Sequence, residues 1–384
     1  PPGPHARVAR FDGDGAPGQA GWPARIDAAE AGNDVVLLVA EQPADAWARF
    51  CLRQADRPLL VVDPARPPLR PPVLPAGVQL VALGTAGLEP WLDLTAATAH
   101  HIVEAGRSLD DVARLARRVS GRALGVVLSG GGARGLAHIG VLDELVRAGA
   151  RIDRIGGTSM GAVIAGLAAA GIHPSDMLEM ARRELVPRRL FGDVTWPRHG
   201  LIRGGRVRST LQAVFDGARI EEQRRSMFAI SVDLVAAAEV VHRRGPIADA
   251  VALSVRIPGL APPERVGDRL HVDGGVLDNL PIGVMAAEGE GPVIAVDVAE
   301  QFDAHPPGAP RDALPPIRET IARSMTIGSW RRSRPDRRLA HTVITPDLHG
   351  LGMFDFGRLD ELVERGRQAG RDALTRVGGL LRSG

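Results

Sequence analysis

Gly157-Thr158-Ser159-Met160-Gly161 is the stretch of this chain whose spacing most directly suggests chemistry. A strand-like run enters it and an alanine-rich helical pattern leaves it. G-x-S-x-G in that setting is the pattern of a nucleophile elbow, a sharp strand-to-helix turn that lifts a serine hydroxyl above a sheet. Gly157 and Gly161 allow the turn and the close packing of strand on helix. The helix N-terminus favours negative charge beside Ser159. A free hydroxyl is barely nucleophilic at neutral pH, so it needs a base. "RLHVDGGVLDNLPI", residues 269–282, offers one, because a short strand delivers Asp273 into the Gly274-Gly275 turn. By itself that carboxylate reads more readily as a turn former or cap than as a base. Two histidines are chemical rivals. His271 precedes Asp273 by two residues and shares its strand face, and His138 lies just beyond the glycine loop described next.

"LGVVLSGGGARGLAHIGVLDEL", residues 124–145, ends a hydrophobic run in a glycine loop. Gly130-Gly131-Gly132-Ala133-Arg134-Gly135 fits G-x-G-x-x-G, which raises a dinucleotide reading. That reading wants an acidic residue about 20 positions on, at the end of a second strand. Here the second strand ends in the serine elbow instead. A glycine loop beside an elbow serine presents backbone N–H groups to a tetrahedral intermediate, and each such donor is worth roughly 100- to 1000-fold in turnover. The loop is therefore read as an oxyanion hole.

Holding three distant stretches together requires a sheet. Strands are expected at 124–128 and 152–156 and helices at 135–148 and 160–171. This βαβα order argues for a parallel sheet with helical crossovers. Further strands are expected at 228–234, 239–242, 270–273 and 293–298. Ahead of this core, 1–33 reads as a linker or poorly ordered start. Residues 34–105 read as a small α/β unit of unassigned role, with strands at 35–40, 59–63 and 78–83. Residues 106–123 read as a connecting helix, capped by Ser108, with Leu109 and Val112 on its apolar face and its arginines in solvent. Residues 287–384 complete the core or pack on it, "SWRRSRPDRRLAH" as a solvated helix end or loop and "FGRLDELVERGRQAGRDALTRV" as an amphipathic helix. "RRELVPRRLFGDVTWPRHGLIRGG", residues 182–205, is irregular and reads as a lid or membrane-facing loop. In that reading Leu190, Phe191, Trp196 and Leu201 enter lipid and the arginines meet phosphates.

Composition narrows the classes. Of 384 residues, 45% are hydrophobic and 24% charged, which is ordinary for a globular protein. No run of about 18 apolar residues suggests a membrane span. The formal charge of +2 does not point to nucleic acid. Lysine is absent, so arginine supplies all the basic charge. Cys51 is the single cysteine, and no metal-ligand spacing is present. The chain begins at Pro1, as expected of a fragment.

G-G-G-A-R-G, G-T-S-M-G and D-G-G, in this order, resemble the patatin-like phospholipase family, most closely its branch related to neuropathy target esterase. "IEEQRRSMFAISVDL", "RIPGLAPP" and "DGGVLDNLPIGVM" extend the resemblance, whose core is 124–286. The resemblance implies a three-layer α/β hydrolase with a mainly parallel central sheet, here preceded by the small α/β unit. It implies Ser159 as nucleophile and Asp273 as proton acceptor in a Ser–Asp dyad. Gly130, Gly131 and Gly132 would supply oxyanion amides, with Arg134 shaping the loop. The implied reaction is hydrolysis of carboxylic esters of phospholipids or lysophospholipids, without a cofactor. The single cysteine fits a reducing compartment, so the protein is expected in the cytoplasm, with peripheral contact at the inner membrane surface. Cyclic-nucleotide-binding domains often precede the hydrolase in that branch, and none is visible here. Arg256 departs from the branch, where a small residue is usual, so the head-group preference does not carry over. A nucleotide-binding module, a catalytically silent lipid-binding module and acyl transfer to an acceptor other than water stand as alternatives.

Overall fold

The computed structural model describes residues 7–12, 21–41, 45–66, 74–104, 106, 108–184, 193–196, 198–299 and 317–382. Leu190, Phe191 and the Ser108 side chain lie outside the described residues. The chain divides into two compact units, one ending at Leu115 and the other beginning at Ala116.

The first unit comprises β1 (Val8–Phe11), α1 (Trp22–Gly32), β2 (Val35–Leu38), α2 (Ala46–Gln54), β3 (Leu59–Val62), β4 (Gln79–Ala82), α3 (Leu88–Thr95), β5 (Ala99–Ile102) and the start of α4 (Ser108–Val119). β1 pairs with β2, and β3, β4 and β5 form a second sheet, all in parallel. The expected linker over 1–33 therefore contains a strand and a helix. Its Phe11, Trp22 and Ile26 pack with Trp47, Phe50 and Cys51, Trp22 lying edge-on to Trp47 at 5.2 Å. Scattered Pro, Gly and Ala obscured this pattern, which becomes legible only through aromatic partners further along the chain.

The second unit continues with β6 (Leu124–Leu128), α5 (Ala137–Arg147), β7 (Ile152–Thr158), α6 (Met160–Ala169), α7 (Pro174–Glu184), α8 (Gly205–Phe215), β8 (Ser226–Asp233) and β9 (Ala238–His242). Then follow α9 (Ile247–Ser254), β10 (Glu264–Val266), β11 (Arg269–Asp273), α10 (Ile282–Ala286), β12 (Val293–Val296), α11 (Ile317–Asp336), β13 (Thr342–Ile344) and α12 (Leu359–Arg382). Eight strands make one sheet in the order β10-β11-β8-β7-β6-β12-β13, with β9 also paired to β8. From β8 to β13 neighbouring strands pair in parallel, while β9 and β11 pair antiparallel to β8 and β10 pairs antiparallel to β11.

Alternation along the strands builds three layers. Val126 and Leu128 of β6 and Ile294 and Val296 of β12 face the larger core, shared with α5, α6 and α12. Val127, Val293, Ala295, Phe228 and Ile230 face the opposite core, with Leu280, Ile282 and Met285. Strands buried on both faces read as continuous apolar runs, as "LGVVL" and "VIAV" do.

The arginines expected in solvent on α4 are a correction. Arg117 and Arg118 are buried, paired with Asp153 and Glu290, each at 2.6 Å, whereas Leu109 and Val112 are exposed. Forked guanidinium–carboxylate pairing offsets the desolvation that would otherwise expel these charges. The basic stretch at 329–341 is mostly the end of α11 rather than a loop, and α12 buries Leu359, Leu362, Val363, Ala373 and Val377.

Candidate active site

Strand register brings the serine and the aspartate together. Thr158, the last residue of β7, pairs with Ile230 of β8, and Asp273, the last of β11, pairs with Ser231. β9 occupies the other edge of β8 at both positions, with Val241 opposite Ile230 and Val240 opposite Ser231. β7 and β11 must therefore share one edge of β8, meeting end to end. The residue after Thr158 is Ser159.

Ser159 has φ 55° and ψ −124°, a conformation rare for any side-chain-bearing residue. The glycines around it are required by contact. A Cβ on Gly161 would lie 2.2 Å from the Leu128 carbonyl oxygen, and one on Gly157 would lie 2.5 Å from the same atom. The turn is held from outside as well, because the Ser159 N–H donates to the hydroxyl of buried Ser254 at 2.8 Å. Two residues beyond Ser254, the Arg256 carbonyl accepts the Asp273 N–H at 2.9 Å. The 254–256 segment thus fastens the backbones of Ser159 and Asp273 to one piece of chain.

Asp273 is buried, and burial pushes its pKa up to about 6. Two contacts pull the other way: the Gly275 N–H, donating to Oδ1 at 2.8 Å, and the Ser159 hydroxyl as a hydrogen-bonding neighbour. The turn glycines are tight, since a Cβ on Gly274 would come within 2.5 Å of the Ile230 carbonyl oxygen. A carboxyl of this kind is a better base than an exposed aspartate and is still ionised at neutral pH.

The glycine loop lies directly over the serine, where a Cβ on Gly130 would sit 3.1 Å from Ser159 Cβ. The reading of three free amides needs correction. The Gly130 N–H donates to the Asn279 carbonyl at 3.1 Å, so it is committed within the fold. The Ala133 N–H is likewise spent on the Met353 carbonyl at 2.8 Å. Among the described residues no acceptor takes the N–H of Gly131 or Gly132. Gly132 has φ +57°, and a Cβ there would meet the Met353 carbonyl oxygen at 2.3 Å. Gly135 abuts Met160, whose Cγ would lie 2.4 Å from an added Cβ. Arg134 directs its guanidinium to the Ala299 carbonyl at 3.5 Å.

Both histidines are occupied elsewhere. His138 Nε2 lies 2.8 Å from the Ser129 carbonyl oxygen, and full burial lowers its pKa to about 4. The Ser231 hydroxyl bridges His271 Nδ1 at 2.9 Å and His242 Nε2 at 2.7 Å. Burial lowers the pKa of His271 and takes that of His242 down to about 4. Among the described residues no group of three or more His, Cys, Asp or Glu converges as a metal site.

An open cavity lies against Ser159 and Gly132. Met160, Val163, Leu211, Ala252, Leu260 and Phe356 give it an apolar wall. Arg208 and Arg256 also line it, both ion-paired to Glu264, and Arg208 reaches Asp249 at 2.5 Å as well. Three positions at the site have no counterpart among the motifs of the sequence. Ser254 and Phe356 belong to no chemical pattern, and Asn279 stands inside the 269–282 stretch with contacts that are not local.

A three-layer α/β unit with a serine elbow, a glycine loop over it and a buried carboxylate at its side is a hydrolase fold of patatin type. Residues 126–286 match the patatin-like phospholipase family, and the chain carries a patatin-like phospholipase domain. The chain is 38% identical over 379 residues to an uncharacterised NTE family protein of Mycobacterium tuberculosis, covering 93% of this chain. It spans 64% of the length of that relative. It is also 34% identical over 296 residues to lysophospholipase NTE1 of Cryptococcus neoformans, covering 69% of this chain and 18% of that protein. Among solved structures, VipD of Legionella pneumophila superposes with a TM-score of 0.40 at 15% identity, over 68% of this chain and 67% of that one.

Proposed function

We propose that the protein hydrolyses carboxylic esters of phospholipids or lysophospholipids through an acyl-serine intermediate. The observation that carries this reading is a strained serine beside a buried, partly desolvated carboxylate, opening on an apolar cavity. Asp273 takes the proton of Ser159 as Oγ attacks the acyl carbonyl carbon. The carbonyl oxygen becomes an oxyanion and is met by the N–H groups of Gly131 and Gly132. Collapse expels the alcohol, which receives the proton from Asp273. The same carboxylate then deprotonates water, which attacks the acyl-serine; the acyl–Oγ bond breaks, Ser159 Oγ recovers the proton from Asp273 and the fatty acid is released.

The cavity suits an acyl chain because its wall near Ser159 offers hydrocarbon contact and little polar competition. The NTE1 lysophospholipase likeness supports the one-chain lipid as first candidate. The membrane contact we propose is peripheral. Among the described residues no helix is long and apolar enough to cross a membrane. Val194, 72% exposed, bridges antiparallel to Ile202, and Trp196, 86% exposed, follows it, with Leu201, Arg198 and Arg203 exposed nearby in the chain. Ile202 in turn lines the cavity. Apolar side chains ringed by arginines suit an anionic bilayer surface.

The test is product analysis on lysophospholipids, diacyl phospholipids and triacylglycerols, with fluorophosphonate labelling and Ser159→Ala as control. Fatty acid release and labelling are expected from the native protein and neither from the variant. Full hydrolysis by Ser159→Ala would remove the mechanism.

A further inference from the structure

Residues 278 and 279 touch all three stretches that build the site. The Asp278 carbonyl accepts the hydroxyl of Thr158, the residue before the nucleophile, at 2.8 Å. The Asn279 carbonyl accepts the Gly130 N–H at 3.1 Å. Asn279 Nδ2 donates back to the Gly130 carbonyl, also at 3.1 Å. The Asn279 Oδ1 stands 2.4 Å from where a Cβ on Gly130 would be, and 2.9 Å from where one on Gly275 would be. Asn279 is itself held, since its N–H donates to the hydroxyl of fully buried Ser329 on α11.

The peptide geometry gives this contact a direction. The Gly130 carbonyl and the Gly131 N–H belong to one planar peptide unit. No described bond is cis, so the two groups point in opposite directions. A donor that pins the Gly130 carbonyl therefore aims the Gly131 N–H. Three successive glycines have no side chains with which to fix that plane themselves. We propose that Asn279 is a positioning residue for the esterase reaction, aiming the Gly131 N–H at the oxyanion by holding the Gly130 carbonyl. This inference rests on the acyl-serine reading above.

The test pairs two variants, Asn279→Ala and the nearly isosteric Asn279→Asp, with three readouts. First, native protein must release fatty acid and Ser159→Ala must not; failure here sinks the hydrolase reading itself. Second, steady-state kinetics of the variants should show kcat lowered by about 10- to 100-fold with KM little changed, less than the loss of a whole oxyanion donor. Third, binding is compared between a trifluoromethyl ketone lipid, which forms an oxyanion on Ser159, and an ether lipid, which does not. Affinity for the ketone should fall in step with kcat while affinity for the ether holds.

Asn279→Asp removes the donor without opening a cavity, so it decides the matter if Asn279→Ala does not fold. Variants with kcat and ketone affinity within twofold of native would overturn the proposal. Equal loss of both ligands would also overturn it, because that is the mark of general packing.

Discussion

Burying Asp273, the base of the proposed reaction, has a stability consequence that can be measured. In the fold Asp273 titrates at about 6, against 3.8 for an unperturbed aspartate, and desolvation is the largest cause. A carboxyl raised in this way binds a proton more tightly when folded than when unfolded, so stability falls as pH rises between the two values. Relative to an unperturbed aspartate the folded state loses about 3 kcal/mol at pH 8, roughly half of that at pH 5 and little at pH 4, as an order-of-magnitude linkage estimate. Asp273→Asn keeps the shape and an acceptor for the Gly275 N–H but never ionises. The variant should be inactive yet more stable than native at pH 8, with the advantage shrinking steadily toward pH 4. Urea unfolding of both proteins across that range, followed by near-ultraviolet dichroism, measures the difference directly. An Asp273→Asn protein that is less stable at pH 8, or whose advantage does not vary with pH, would refute the burial argument. Gains of this kind are expected where an active site holds a group against its solvation preference.

The same titration sets an acid limb on kcat/KM. In the proposed mechanism Asp273 acts as base only when ionised, so activity should fall tenfold per pH unit below about 6. A flat profile down to pH 4 would exclude it as the base. His271→Ala should retain most of the native rate, because that ring is bonded to Ser231; a loss as large as that of Asp273→Asn would restore the histidine triad. Gly366→Ala should destabilise the second unit severely without touching the site. A Cβ there would lie 2.0 Å from the Ala137 carbonyl oxygen of α5, so the α5–α12 crossing must open. A thermal midpoint within a degree or two of native would contradict that packing.

The elbow, the glycine loop and the Asp-Gly-Gly turn were legible because each is a local instruction. Spacing of small residues around one functional side chain encodes a backbone turn whether or not the partners are in view. Apolar runs in β6 and β12 likewise mark strands buried on both faces. Non-local pairing decided the rest. β7 and β11 meet on one edge of β8, which sets Ser159 beside Asp273 across more than a hundred residues of chain. The same closure commits the Gly130 amide, which finds the Asn279 carbonyl only once the sheet has formed. The β1–α1 segment and the buried arginines of α4 were invisible for the same reason. Their burial depends on aromatic rings and carboxylates supplied by distant segments, and composition within a short window does not encode who the partner will be.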